Sequence, residues 1–355
     1  MKILIIALSG IGDALMFTPA LKILKEQIPD AEIDAMVMYS GVKDIYSRLP
    51  QITNVYLHDF LKKSKAESFK FVINLQKKYD VSINVYPSNR KEYNLISFLT
   101  GAGKRIAVSY KRQGFRNLEF LNNIRIEEND NFHNVETNIK MVECLTGNKI
   151  AQPFPGLMFP LKSEELQFAD TFFSDYNLNT FKNIIGFHPG CSTLKNHINR
   201  RWEPAKFVEL GKKLISAGNT CILIFGGPDE SALKSEIYNG INSGKCFEVN
   251  VKNLAETAAV MKKCSLFITN DSSLMHVASA MNLKTAAIIG PTNTNYIRPW
   301  NTGHKICTLN LECSPCFFYS PKPLNCSRQD VKYKCIKELS ADFVFKEIEG
   351  FMDAK

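Results

Sequence analysis

Five short clusters in this 355-residue chain place glycine, hydroxyl, carboxylate and imidazole groups directly after apolar runs. They are Ser9-Gly10-Ile11-Gly12-Asp13, His188-Pro189-Gly190-Cys191-Ser192-Thr193, Gly226-Gly227-Pro228-Asp229-Glu230, Asn270-Asp271-Ser272-Ser273 and Gly290-Pro291-Thr292. Beyond the carboxyl end of a parallel strand, the helix that follows leaves amides unpaired, and an anion can be held there. Ser272 and Ser273 open a helix in this way, so their amides and hydroxyls suit a diphosphate, with His276 three residues beyond Ser273 on the same side. Asp271 either caps that helix or meets the ligand, and His276 taken alone reads equally as a satisfied core histidine. Thr292, at the next strand end, adds a third group to the same place. Lys195, Arg200 and Arg201 follow the His188 to Thr193 turn; guanidinium forks suit phosphate oxygens, and one or two of these three cations are expected to face solvent.

The first cluster opens like a dinucleotide fingerprint through Gly10 and Gly12, but Leu15 stands where the third glycine belongs, which argues against a nicotinamide or flavin site. Asp13 is more informative. A carboxylate in the first turn of a helix either stabilises the helix end or, in a cleft, takes a proton from an acceptor hydroxyl.

The elements that would position these groups recur along the chain. Short apolar runs alternate with helix-period segments, the signature of βαβ units and a parallel sheet. Strands are expected at 2–8, 32–38, 81–86 and 105–108, then at 184–188, 221–225, 266–269 and 285–289, with helices after most of them. Pro153, Pro155, Gly156 and Pro160 suit an extended connection, so the length divides into two domains with the boundary at 151–160. An amphipathic helix at about 341–352 ends the chain.

The bulk composition is that of an ordinary globular protein, 45% apolar and 22% charged, which excludes a disordered chain. The apolar run at the N-terminus breaks at Ser9 and Gly10, too early for a secretory segment, and no stretch approaches the ~20 apolar residues of a membrane span. A cytoplasmic location is expected, peripheral on the membrane at most. The formal charge is +9, and Lys104, Arg105, Lys111, Arg112 and Arg116 fall in a stretch without acids, while Lys62, Lys63, Lys65 and Lys70 form a second basic stretch. These are either solvated loops or a site for an anionic headgroup or phosphorylated sugar; sparse aromatic interleaving argues against nucleic acid.

Together these segments resemble glycosyltransferase family 9, whose members include the heptosyltransferases of lipopolysaccharide inner-core assembly. LSGIGDALMFTPALKILK is similar to the family's opening motif, HPGCSTLKNHINRRWEPAKF to its second-domain turn, and ILIFGGPDE and ITNDSSLMHVASAMNLKTAAIIGPT to its nucleotide-binding segments. The resemblance implies an α/β chain of GT-B architecture, two Rossmann-like domains facing across an interdomain cleft. Residues 1–155 would bind the acceptor and 156–340 the sugar nucleotide, with 341–355 a C-terminal helix packing back toward the first domain. It further implies inverting transfer with Asp13 as general base and Arg200 neutralising the leaving group, at a place where the family often has lysine. Ser192, Thr193, Lys195, Arg201, Glu230, Asp271, Ser272, Ser273, His276 and Thr292 would bind the donor, Glu230 at the ribose. Gly12 and the basic residues Lys104, Arg105, Lys111 and Arg112 would meet the acceptor. ADP-heptose is the expected donor, with another nucleotide sugar carrying a hexose or N-acetylhexosamine as the alternative, and an anionic lipid A–core oligosaccharide the expected acceptor. Ser273 stands where the family often has glycine.

No metal is expected at the diphosphate: Asp30, Glu32 and Asp34 lie at the wrong end of a strand, and Glu127, Glu128 and Asp130 lie in a polar loop outside the motifs. Cys307, Cys313, Cys316, Cys326 and Cys335 crowd the last part of the chain; Cys313 and Cys316 have a zinc-knuckle spacing but no second knuckle follows, which leaves thiols, metal and disulfides open. Two other functions remain compatible with paired domains of this kind. A non-hydrolysing sugar-nucleotide epimerase would have no use for the basic loops, and a non-catalytic sugar-nucleotide binder would have no use for Asp13.

Overall fold

In the computed structural model, which describes residues 1–111, 114–318 and 323–353, the chain divides into two compact units, Met1–Pro160 and Leu161–Phe318 with 323–353. The boundary falls five residues after the end expected at 155, because the extended segment after Ala151 stays with the first unit.

The first unit is built on six parallel strands: Lys2–Ala7 (β1), Glu32–Val37 (β2), Asn54–Leu57 (β3), Val81–Asn84 (β4), Lys104–Ser109 (β5) and Ile124–Glu127 (β6). Their order is β3-β2-β1-β4-β5-β6. Helices cover both faces of such a sheet, so its central strands are buried throughout. In β1 every residue after Lys2 is buried, and Leu4, Ile6 and Met36 join Val72 and Ile96 in one apolar cluster.

The second unit repeats the plan with Asn183–His188 (β7), Thr220–Ile224 (β8), Cys246–Glu248 (β9), Leu266–Asn270 (β10), Thr285–Ile288 (β11) and His304–Cys307 (β12). All pairings are parallel and the order is β12-β11-β10-β7-β8-β9. Its core gathers Ile185, Phe187, Trp202, Phe207, Ile222 and Ile268. Helix Ala341–Asp353 adds Val344 and Ile348 to that core and packs on helix Pro204–Ser216 and β12. Lys213–Asp342 at 2.7 Å and Lys305–Glu347 at 2.8 Å pin its exposed side. The helix expected to return to the first domain thus completes the second.

In each sheet the strand order reverses once, between β1 and β4 and between β7 and β10, and that is where open α/β sheets bind ligands at their carboxyl edge. The Ser9–Asp13 cluster follows β1, and the His188 and Asn270 clusters end β7 and β10. Four edge or near-edge strands, β3, β6, β9 and β12, were not marked by the apolar pattern, because they are three or four residues long and only partly buried. Two acids also differ from expectation: Glu127 ends β6, and Glu128, just beyond it, is buried and accepts the Tyr86 hydroxyl at 3.0 Å. Among the described residues no helix is long and apolar enough to cross a membrane.

Close packing at the centre of the second sheet requires Gly186 in β7. A methyl group there would stand 2.5 Å from Phe267 Cδ2 and 3.0 Å from Phe225 Cε2. Gly186→Ala is expected to destabilise the chain by about 1–3 kcal/mol, read as a lower urea midpoint at unchanged slope.

Candidate active site

The second unit assembles most of the expected donor residues at the carboxyl ends of β7, β10 and β11. Asn270 organises them: its Oδ1 accepts the Trp202 amide at 3.0 Å and its Nδ2 donates to Pro189 O at 2.6 Å. The Trp202 ring is buried, with Nε1 donating to Leu339 O at 2.7 Å, so the segment carrying Arg200 and Arg201 is anchored from behind. Asp271 is buried and sits between two donors, Arg200 Nη1 at 2.5 Å and the Thr292 hydroxyl at 2.6 Å. The Arg200 guanidinium lies over the Phe317 ring at 5.5 Å and also meets His197 Nδ1 through Nη2 at 3.2 Å. Its Nε is buried without a hydrogen-bond partner. Phe317 is held in turn by its amide, which donates to Pro291 O at 2.9 Å beside Thr292.

Ser272 occupies the cap position of helix Ser273–Ala280 but does not cap it. Its hydroxyl faces His188 Nδ1 at 2.9 Å and Thr269 Oγ1 at 3.1 Å, leaving the first amides of the helix without a side-chain partner. His188 Nε2 lies 3.1 Å from Glu230 Oε2. Glu230 also accepts the Gly227 amide at 3.0 Å, and its Oε1 is 3.7 Å from Arg201. Burial alone would push Glu230 up, but His188, Gly227 and Arg201 outweigh it and hold the carboxyl below its usual range. The carboxylate fills the space above Gly190, where a Cβ would come within 1.6 Å of Oε1.

The remaining expected donor residues differ in setting. Arg201 donates to Cys191 O at 2.9 Å. Ser192 and Thr193 are exposed on the turn after β7, and Lys195 follows in the left-handed region at φ 52°. Ser273 opens the helix, partly exposed. His276 is buried, its Nδ1 without a hydrogen-bond partner. Burial drives its imidazole down to about 4, only partly opposed by Asp271, so the ring is neutral at neutral pH and adds no positive charge to the site. Burial and the Arg200 charge bring His197 to about 4 as well.

In the first unit, β1 passes into helix Ile11–Gln27 at Gly10, whose carbonyl accepts the Ala14 amide at 3.1 Å. Gly12 and Asp13 lie in the first turn, partly exposed, where the helix dipole favours a carboxylate. Ser9 donates to Pro87 O at 3.0 Å and so ties the carboxyl ends of β1 and β4 together. The phenols of Tyr46 and Tyr93 are pushed up, first by burial and then by the Asp13 charge, so both remain proton donors.

The basic residues assigned to the acceptor do not stay together. Lys111 is exposed just beyond β5, on the carboxyl edge shared with Asp13, and Arg112 lies outside the described residues. Lys104 and Arg105 begin β5 and pair with Val81 and Ser82 at the start of β4, so they occupy the opposite edge of the sheet. Arg105 is spent there on Ala102 O at 2.7 Å and Leu121 O at 2.8 Å. The ten cysteines are unpaired, and among the described residues no group of three or more His, Cys, Asp or Glu stands as a metal-holding set.

Sequence reasoning gave no role to His188, His197, Thr269 or Phe317. His188 carried a signal, a polar residue ending a fully buried strand; Phe317 carried none, because its place depends on a pairing with Thr292 twenty-five residues earlier.

Two six-stranded parallel sheets, the second with an anion-ready carboxyl edge, are compatible with a nucleotide-sugar-dependent glycosyltransferase. The family model for glycosyltransferase family 9 (heptosyltransferase) matches residues 66–325, and the chain belongs to that family. It is therefore a glycosyltransferase by family, which sets aside the epimerase. It is 28% identical over 98% of its length to lipooligosaccharide heptosyltransferase 2 of Campylobacter jejuni, of which 98% is covered. Its fold is similar to that of the Escherichia coli ADP-heptose lps heptosyltransferase II structure, with a TM-score of 0.75 at 21% identity over 99% of this chain and 98% of that one. Escherichia coli heptosyltransferase WaaC with ADP-2-deoxy-2-fluoro heptose matches at a TM-score of 0.68 and 18% identity, over 99% of this chain and all of that one. These likenesses establish the GT-B type of fold expected from the sequence.

The neutral, buried His276 has a consequence for stability. Its imidazole titrates at about 4 folded against 6.5 unfolded, so between these values the unfolded chain binds the proton and the folded one does not. Stability is therefore complete above about pH 6.5 and falls as pH drops toward about 4, by about 3 kcal/mol for this residue. Urea titrations at pH 7 and pH 4.5 are expected to show this loss, with a smaller difference in His276→Gln.

Proposed function

We propose that this chain is an inverting heptosyltransferase that moves a heptose from ADP-heptose to the inner core of lipopolysaccharide. Membership of family 9 supports the reaction class, and the names of the similar proteins support the sugar and the nucleotide. The observation that carries the reading is the Arg200–Asp271–Thr292 cluster beside the uncapped start of helix Ser273–Ala280.

The diphosphate of the donor lies on the Ser272 and Ser273 amides and hydroxyls. Arg200 gives Nη1 to Asp271 and one hydrogen of Nη2 to His197 and offers its remaining terminal hydrogens to phosphate, while Lys195 and Arg201 add positive charge. His276 contributes through Nδ1 as a neutral partner, Thr292 through its position beside Asp271, and Ser192 and Thr193 from the turn after β7. Glu230 Oε1 accepts a ribose hydroxyl.

Asp13 takes the proton of the acceptor hydroxyl as its oxygen attacks the anomeric carbon. The carbon–oxygen bond to the nucleotide breaks on the opposite face, and ADP leaves with its charge met by Arg200 and the helix amides. One displacement inverts the anomeric centre, with no covalent intermediate and no essential metal or cofactor. The acceptor is an anionic lipid A–core oligosaccharide, met by Gly12 and Lys111 on the carboxyl edge of the first sheet. The reaction then takes place on the cytoplasmic face of the inner membrane, where a soluble nucleotide sugar meets a lipid-anchored sugar.

Calorimetry with ADP, UDP, GDP and CMP tests the donor assignment. Selective ADP binding is expected; selective UDP binding would move the protein to another transfer reaction, and binding of none would remove the site. Asp13→Asn is expected to bind ADP-heptose as the wild type does and to lose turnover by roughly 10²-fold or more, the usual worth of a general base. Unchanged turnover would remove Asp13 from that role.

A further inference from the structure

Ser272 and Glu230, both partly exposed, flank the buried His188 in a relay whose proton count decides which way the Ser272 hydroxyl points. Glu230 is a carboxylate and can only accept, so the hydrogen between it and His188 belongs to Nε2. The other ring nitrogen, Nδ1, then has two states. Bare, it accepts the Ser272 hydroxyl hydrogen across 2.9 Å, and Ser272 turns only lone pairs outward. Protonated, it donates to Ser272 Oγ and frees that hydrogen. Thr269 Oγ1 also lies 3.4 Å from Nδ1 and 3.1 Å from Ser272 Oγ, but its hydrogen has a nearer acceptor in Asn270 O at 2.9 Å, which leaves Ser272 as the closer donor to the ring.

A phosphate oxygen accepts hydrogen bonds and does not donate them, so only the second state of the relay welcomes it. We propose that His188 is a positioning residue that takes up a proton from solvent when a nucleotide diphosphate binds, turning the Ser272 hydroxyl from the imidazole to the phosphate. This rests on the placement of the diphosphate at Ser272 and Ser273. The relay is built to hold the resulting imidazolium: Glu230 faces it directly, and His188 is only 4% exposed. The other charges nearby are Arg201, which is 3.7 Å from Glu230, Lys234, which donates to Val249 O and Asn250 Oδ1, and the Arg200–Asp271 pair beyond Ser272. Gly190 is part of the device, since any side chain there would displace the Glu230 carboxylate.

The test is calorimetry of ADP-ribose and ADP-heptose, whose diester phosphates do not titrate near neutrality, at pH 7.5 in buffers of different ionisation enthalpy. The wild type is expected to take up a substantial fraction of one proton on binding, and its affinity to fall as pH rises. Ser272→Ala is expected to keep its fold and to lose both the proton uptake and about tenfold in affinity, the worth of one hydrogen bond to a charged group. His188→Asn is expected to bind without uptake and with a flat pH profile, which a merely structural role for His188 would not produce. Nucleotide binding without buffer dependence in the wild type, or uptake that survives in both variants, would overturn the relay and leave the donor site standing. Absence of nucleotide binding altogether would overturn the donor site and the relay with it.

Discussion

A carboxylate removed from water must find positive charge and hydrogen bonds, and Asp271 is such a carboxylate. Its partners come from segments far apart in sequence: Arg200 from the turn after β7 and Thr292 from the end of β11. Three strand ends therefore converge on one oxygen, Oδ2. Removing one partner of a buried pair costs about 3–5 kcal/mol, because the other is left uncompensated. The same pair explains why arginine serves at position 200. Its planar fork can give one nitrogen to Asp271, another to His197 and a face to Phe317, three tasks that the single ammonium of lysine cannot share.

The polar groups around this pair are packed as tightly as an apolar core. Asn270 uses both ends of its amide to fasten Trp202 and Pro189, and Glu230 lies so close over Gly190 that no side chain fits. Such a network is favourable only when its members are satisfied. Within it His276 Nδ1 and the Nε atoms of Arg200 and Arg201 are buried without a hydrogen-bond partner, as are seven side-chain atoms elsewhere among the described residues.

The central strands and the helices following them could be read from the sequence because burial on both faces leaves continuous apolar runs, as in 2–7 and 266–270. From there the carboxyl-edge rule led directly to Asp13, Asp271, Ser272 and Thr292. The short strands β3, β6, β9 and β12 left no such run and owe their existence to pairing with a neighbour. Charge clustering was the weakest guide: Lys104 and Lys111 are close in sequence, but a β-strand carries the chain from one edge of the sheet to the other between them. Contacts that depend on a long return of the chain, such as Phe317 under Arg200, had no local trace.

That return has a cost and a use. The stretch from Leu311 to Phe318 is held to the unit mainly through Pro291 and Thr292, yet it supplies the ring on which Arg200 rests. Whatever free energy a bound nucleotide gains from a well-placed Arg200 is shared with this stretch, and the sharing is reciprocal. If the nucleotide binds as proposed, its occupancy would steady a surface segment that carries the exposed Cys316, and a disturbance of that segment would weaken nucleotide binding by the same amount. On that reading the cysteine-rich excursion would be a remote handle on affinity, reached from the surface without touching the ligand.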